Sequence, residues 1–104
     1  MIRTDYKENL AKYVPGADQD KLSVIIKFCG IALRGEDSQY VSMTDAAEVK
    51  RVVDGFASKK LGLDAAVAEA GMKKVHEIMK AEKTKLRTTV YYLLAKETGT
   101  LGKI

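Results

Sequence analysis

The sequence predicts an all-α protein, a compact array of about five helices in a single domain spanning residues 1–104. Three observations lead to this fold class. Apolar residues recur at helical spacing along most of the chain. Proline occurs only once, and runs of β-branched residues are few. Hydrophobic residues make up 46% and charged residues 31%, a balance typical of folded chains.

The first helix is predicted over about Asp5–Val14, because Pro15 follows it. The second begins at Asp18, a favourable N-cap, and runs to about Arg34. Helix two is apolar on two sides and is therefore expected to be buried on two sides. One side carries Leu22, Ile25, Ile26, Cys29 and Leu33, and the opposite side carries Val24, Phe28 and Ile31.

Helix three is expected to begin at the N-cap Asp45, with Glu48 completing a capping box, and to end at Gly62. Its apolar stripe is Val49, Val52, Val53, Phe56 and Lys60 or Leu61. Asp64 is the predicted N-cap of helix four, which should end near Lys83. The apolar side of helix four comprises Val67, Ala68, Gly71, Met72, Val75, Ile78 and Met79.

Helix five is predicted over about Lys85–Thr98 and is also apolar on more than one side. Helices two and five should therefore be the most buried. Tyr92 lies opposite the main stripe of helix five, which leaves two interpretations. An exposed Tyr92 could anchor a dimer or a partner, whereas an internal helix five would place it in a second layer of the core. The pattern favours the second interpretation but does not fix the packing topology.

The sequence contains no recognisable catalytic, metal or cofactor motif. Cys29 is the only cysteine and His76 the only histidine, so neither an intramolecular disulfide nor a cysteine-based zinc site can form. Cys29 falls on an apolar stripe and His76 on a polar face, so nothing pairs them as nucleophile and base. We therefore expect no cofactor, and the pattern favours a protein without enzymatic activity. The stretch Val24–Leu33 is too short to span a membrane, and a cytoplasmic location is the simplest expectation.

Positive charge is concentrated in the second half of the chain. Residues 1–48 carry six Lys/Arg and eight Asp/Glu, a net charge of −2, whereas residues 49–104 carry twelve and six, a net charge of +6. On helix four, one outward face carries Lys73, His76, Lys80 and Lys83. This face could meet the phosphates of a nucleic acid, or it could be an ordinary solvated helix surface, since Glu69 stands four residues before Lys73.

Three segments stand out together: residues 30–42 (GIALRGEDSQYVS) with the following acidic cap Asp45-x-x-Glu48, residues 59–63 (KKLGL) and residues 84–95 (TKLRTTVYYLLA). In combination and in this order they resemble a small bacterial family known only as domain of unknown function twenty-eight fifty-three. The resemblance implies a compact helical domain and supplies no activity, substrate or cofactor. One departure is Ala46, where the family pattern has proline after the capping aspartate.

The polar residues that match the family pattern are the candidate site residues Arg34, Asp37, Ser38, Ser42, Asp45 and Arg87. Two interpretations of them are open. They could form a small polar pocket for a ligand, or a loop held by its own hydrogen bonds and caps, which the residue types favour. The sequence therefore predicts a non-enzymatic accessory or interaction protein with an unknown protein partner. Weak, non-specific nucleic-acid binding through helix four is the alternative, and an enzyme with an unrecognised pocket is the third reading.

Overall fold

Five α-helices account for most of the residues 6–30, 40–82 and 85–104 that the computed structural model describes. They are α1 (Tyr6–Ala11), α2 (Gln19–Cys29), α3 (Ala46–Val52), α4 (Ala65–Ile78) and α5 (Arg87–Glu97). Helix α3 continues directly into a π-helical segment, Val53–Lys60, and a 3₁₀ turn, Leu101–Lys103, follows α5. The predicted all-α class with about five helices is confirmed.

Helices α1 and α2 have the predicted positions but end earlier than predicted. Helix α1 stops at Ala11, ahead of Pro15, whose ring disfavours helical geometry in the residue before it. The Asp18 carboxylate caps α2 as predicted, accepting hydrogen bonds from the amides of Asp20 and Lys21 at 3.0 and 3.3 Å. Helix α2 ends at Cys29 because Gly30 takes φ = +48°, a conformation that cannot continue a right-handed helix.

A short antiparallel ladder joins two parts of the chain that were predicted to be loop and helix. Strand β1 (Tyr40–Val41) pairs with β2 (Lys85–Leu86), with Tyr40 opposite Leu86 and Val41 opposite Lys85. Helix α5 consequently begins at Arg87 rather than Lys85. Two-residue strands are too short to show an alternating pattern, which is why neither strand was predicted.

Helix α5 is buried over most of its length, as predicted. Eight consecutive residues, Thr88–Ala95, are buried. Tyr92 is only 3% exposed, and its hydroxyl oxygen accepts a hydrogen bond from the Asp18 amide at 2.9 Å. Tyr92 therefore joins α5 to the start of α2, and the interpretation that placed it inside the core is the correct one.

Within its described residues helix α2 is buried on one face only, which corrects the expectation that it is buried on two sides; Ile31 and Leu33 lie outside the described residues. Leu22 and Ile25 are fully buried, whereas Val24 is half-buried and Phe28 is 45% exposed. The Phe28 ring still contacts Phe56 and Tyr91 edge-on, with ring centroids 5.3 and 6.4 Å away. Periodicity shows that a side chain is apolar, but it does not show whether a neighbouring element covers it.

The hairpin that α3 and its π-helical continuation form with α4 follows the prediction closely. Gly62 takes φ = +67° and ends the first arm. Asp64 occupies the predicted N-cap position of α4, but its side chain makes no capping hydrogen bond. Val67 and Ile78, at the edges of the predicted apolar side, are 46% and 39% exposed. Helix α4 ends at Ile78, and the predicted break at residues 83–84 lies outside the described residues.

Helices α4 and α5 approach each other most closely at Gly71. A Cβ atom placed on this buried glycine would lie 2.7 Å from both Leu94 Cδ1 and Thr98 Cγ2. Leu94 is fully buried, and the Thr98 hydroxyl donates a hydrogen bond to the Leu94 carbonyl at 2.7 Å. Leu94 is enclosed by the core and the Thr98 side chain is held by its hydrogen bond, so glycine at this position sets the spacing of the two helices.

We predict that Gly71→Ala lowers the free energy of unfolding by about 1–3 kcal/mol, because the added methyl overpacks the interface between α4 and α5. Gly55→Ala is the matched control, since a Cβ at Gly55 meets no atom within 4 Å. That substitution should leave stability unchanged or raise it by up to about 1 kcal/mol. Urea unfolding of both variants measures the difference, and equal stabilities would contradict the close approach of the helices.

Candidate functional site

The candidate polar site predicted from the sequence is described only in part. Arg34, Asp37 and Ser38 lie outside the described residues. Asp45 caps α3, with its carboxylate accepting a hydrogen bond from the Ala47 amide at 2.9 Å. The Asp45 amide donates in turn to the Ser42 carbonyl at 3.2 Å. In the described part of this loop, the Asp45 side chain therefore caps α3, and a main-chain hydrogen bond joins Asp45 to Ser42.

Arg87 is the most strongly held of the candidate residues. Its guanidinium bonds Glu48 Oε1 at 2.6 Å, the Tyr91 hydroxyl at 3.2 Å and the Tyr40 carbonyl at 3.3 Å. The side chains of Arg87 and Glu48 are only 12% and 14% exposed. These hydrogen bonds join α3, β1 and α5 at one point, although the three elements are far apart in the sequence.

Glu48 has a different role from the one predicted. The sequence assigned it to a capping box, in which its carboxylate would accept from the Asp45 amide. The Asp45 amide bonds Ser42 instead, and the Glu48 carboxylate is shared between Arg87 and Arg51, the latter at 3.1 Å. Spacing within one helix could not reveal a partner thirty-nine residues away.

The electrostatics around Arg87 favour its charged form. Burial by itself lowers the pKa of the guanidinium, but the hydrogen bonds to Tyr91 and Glu48 outweigh this effect and raise the pKa above its ordinary value. The Tyr91 hydroxyl has a raised pKa because it is buried. Arg87 therefore remains a cation, and Tyr91 remains neutral, over the whole physiological pH range.

We predict that Glu48→Gln lowers the free energy of unfolding by about 1–3 kcal/mol, because it leaves the largely buried Arg87 without its counter-charge. Glu77→Gln is the matched control: Glu77 pairs with Lys80 at 3.8 Å, and both side chains are more than 70% exposed. The control should melt like the wild type, because exposed ion pairs contribute little. Thermal melts compare the two, and an unshifted Glu48→Gln protein would show that the pair does not stabilise the fold.

Cys29 is half-buried at the end of α2, and its surroundings oppose its ionisation. Burial raises the pKa of its thiol to about 12, and the nearby Arg87 lowers it only slightly by comparison. His76 lines a groove between α3 and α4 instead, so no described contact joins the two. Cys29 thus has the character of an inert packing residue, as its position on the apolar stripe predicted.

We predict that Cys29 in the native protein reacts with a thiol reagent at pH 8 roughly 100-fold or more slowly than in the unfolded chain, because so little thiolate is present. The raised pKa also means that the folded state holds this proton more tightly than the unfolded state. The stabilisation that this thiol proton contributes to the folded state should be complete below about pH 9 and should be lost as the pH rises toward 12. Rapid labelling of the native protein would show that the thiol is accessible and functional.

An open groove of about 640 Å³ runs between α3 and α4. Its floor is apolar, with Val53 and Met72 buried and Met43 and Val49 half-buried. Its walls carry small exposed residues, Ala46 on α3 and Ala65 on α4. The volume falls in the range of about 300–1,000 Å³ typical of ligand sites. The exposed walls leave it open along one side, so it has the form of a surface channel.

The charged residues on the rim of the groove are sorted by sign along its length. Residues 61–64 form the short turn that joins the two arms, and Asp54 and Glu69 are the rim residues nearest to this turn. Lys50, Lys73 and His76 lie toward the other end. Among the described residues, these five make no ion pair within 4.0 Å. The rim therefore presents an acidic and a basic end with unpaired charges.

The predicted anionic-partner face of helix four is only partly brought together. Lys73 and His76 line the groove, whereas Lys80 does not line it and pairs with Glu77. Lys83 lies outside the described residues. Within the described part of the chain, no three His, Cys, Asp or Glu residues are grouped so that they could hold a metal ion. Nor does any helix there have the length and apolar character to cross a membrane.

Sequence reasoning did not identify the groove. It placed Val49 and Val53 on the apolar stripe of helix three and Met72 on the apolar side of helix four. It did not show that a groove separates these two apolar surfaces. The π-helical segment contacts α4 closely, whereas α4 and α5 make the larger contact on the other side. Such a divergence of two helices leaves no signal in either helix pattern.

A model of a protein family of unknown function, DUF2853, matches residues 5–102 of the chain. No curated protein matches the sequence.

Proposed function

Since the chain belongs to the DUF2853 family, whose function is unknown, we propose from the site alone that it is a non-enzymatic interaction protein that binds a segment of a partner protein in the groove between α3 and α4. The observation that supports this most is the apolar floor of the groove beneath a rim of unpaired charges. Protein-binding sites commonly combine a water-excluding apolar centre with a polar rim.

The shape of the groove favours a peptide segment over a small molecule. Sites for small ligands bury about 70–90% of the ligand surface. Here most of the rim residues are exposed, so a small ligand would remain largely in water. A peptide segment gains binding energy along the whole length of the channel and needs no enclosure.

We predict that Ala46→Arg and Ala65→Arg, which fill the groove from either wall, weaken binding of a groove-directed peptide by about 10-fold or more. The peptide is to be selected on the wild-type protein from a displayed library of short helical sequences. Ala47→Arg and Ala66→Arg are matched controls, because these neighbouring alanines are exposed but do not line the groove. Failure to select any peptide, or equal loss of binding in all four variants, would overturn the proposal.

The alternative proposal, non-specific nucleic-acid binding through α4, has less support. Lys73 and His76 are joined by Lys50 at one end of the groove, which concentrates positive charge there. Against this, Glu69 and Asp54 lie one turn away, and Lys80 is already paired with Glu77. These acidic groups would repel a phosphate backbone that followed the helix.

We predict that the wild-type protein does not bind a short DNA duplex at about 50 mM salt, where electrostatic binding would be strongest. Fluorescence anisotropy of a labelled duplex measures this. Binding that falls steeply with added salt and disappears in the Lys73→Glu, Lys80→Glu double variant would establish the alternative and replace the proposal of a peptide site.

A further inference from the structure

We infer that the groove accepts an amphipathic helix of a partner protein, about three turns long, whose charged flanks are acidic at one end and basic at the other. The inference rests on the proposed function and specifies the chemistry of the partner. Its acidic end would lie beside Lys50, Lys73 and His76, and its basic end beside Asp54 and Glu69.

The length of the groove sets the length of the partner segment. Along α4 the lining extends from Ala65 to His76, eleven residue steps, or about 16 Å at 1.5 Å per residue. That distance corresponds to three turns of a bound helix lying along the channel. A helix in a groove between two others packs by the same side-chain interdigitation as in a helical bundle.

The apolar floor determines which face of the partner is buried. Val49, Val53, Met43 and Met72 form a strip between the two walls. A helix lying on this strip would present apolar residues at spacings of three and four, so that one narrow face is buried. Two of the four floor residues are methionines, whose flexible side chains adapt to partner side chains of different shapes.

The sorted charges determine the direction of the partner segment. Lys50 on α3 precedes Asp54 in the π-helical segment by one turn, and on α4, Glu69 precedes Lys73 by one turn. Because Asp54 and Glu69 stand nearer to the turn of residues 61–64 than Lys50 and Lys73 do, like charges fall at the same end of the groove instead of cancelling. None of these four side chains is held in an ion pair within the described structure, so each is available to a partner. Complementary charges fix the register and orientation of a bound chain more than they add affinity.

The experiment compares two synthetic helical peptides of about 12 residues with the same composition and the same apolar face. The segregated peptide has glutamates at one end and lysines at the other, and the mixed peptide alternates them. We expect the segregated peptide to bind the wild-type protein about 10-fold more tightly in fluorescence anisotropy, the sum of several surface ion pairs. In the Asp54→Lys, Glu69→Lys double variant this advantage should disappear.

The matched control variant carries Asp20→Lys and Glu77→Lys, the same change in net charge at exposed acidic residues outside the groove. It should retain the preference for the segregated peptide. A nitroxide label on the glutamate end of that peptide provides a readout independent of affinity. It should broaden the amide resonances of Ala46 and His76 more than that of Ala65.

The outcomes separate this inference from the proposed function. Equal binding of the two peptides, or broadening centred on Ala65, would overturn the inference while leaving a peptide-binding groove in place. Absence of binding by both peptides, together with failure of library selection, would overturn the proposed function itself. Self-association of the protein that is abolished by Ala46→Arg but not by Ala47→Arg would assign the groove to a second copy and overturn the inference.

Discussion

Helix α5 has no polar face along Thr88–Ala95, and this constraint organises the rest of the described structure. A helix that is buried all round must be covered on every side by other elements. Helices α1, α2 and α4, the π-helical segment and both strands all contact it. Tyr92 is the clearest example, because its ring is buried while its hydroxyl still accepts a hydrogen bond from the Asp18 amide. The Tyr92 hydroxyl thereby joins α5 to the N-cap of α2.

The first residue of α5, Arg87, is held by polar contacts, whereas the rest of the helix is held by packing. Arg87 enters the protein interior only because Glu48, Tyr91 and the Tyr40 carbonyl satisfy its donors. A guanidinium suits this position since its planar fork can bond several oxygens at once. The stacking of Phe56 on Tyr91, with centroids 4.2 Å apart, places an apolar cluster next to the ion pair. Together these contacts orient α3 relative to α5.

The groove is a consequence of this arrangement. The Glu48–Arg87 pair ties the beginning of helix three toward α5, while the π-helical segment packs on α4. The beginning of α3 is therefore held toward α5 and the π-helical segment toward α4. The surface between α3 and α4 is left open. Its apolar floor and sorted rim charges are the features on which the proposed peptide site rests.

The sequence by itself determined the helical class, the order of the helices and several of their boundaries. Asp18 and Asp45 cap helices as predicted, and Gly62 ends one, because capping and positive φ depend on local chemistry. The burial of α5 was also predictable, since its apolar residues surround the helix. The family was recognisable from three short segments that match in order.

Only the tertiary structure decided which polar and apolar residues meet across the chain. The position of Glu48 in the sequence fits a capping box, yet Glu48 pairs with Arg87. Lys85 and Leu86 fit a helical pattern, yet they form a strand that pairs with residues 40–41. Phe28 is apolar, yet it remains 45% exposed because no described element covers it fully. The groove depends on the divergence of two helices, each regular in its own pattern. Local spacing records the preferences of one element, whereas pairing, coverage and clefts arise from the relative placement of several.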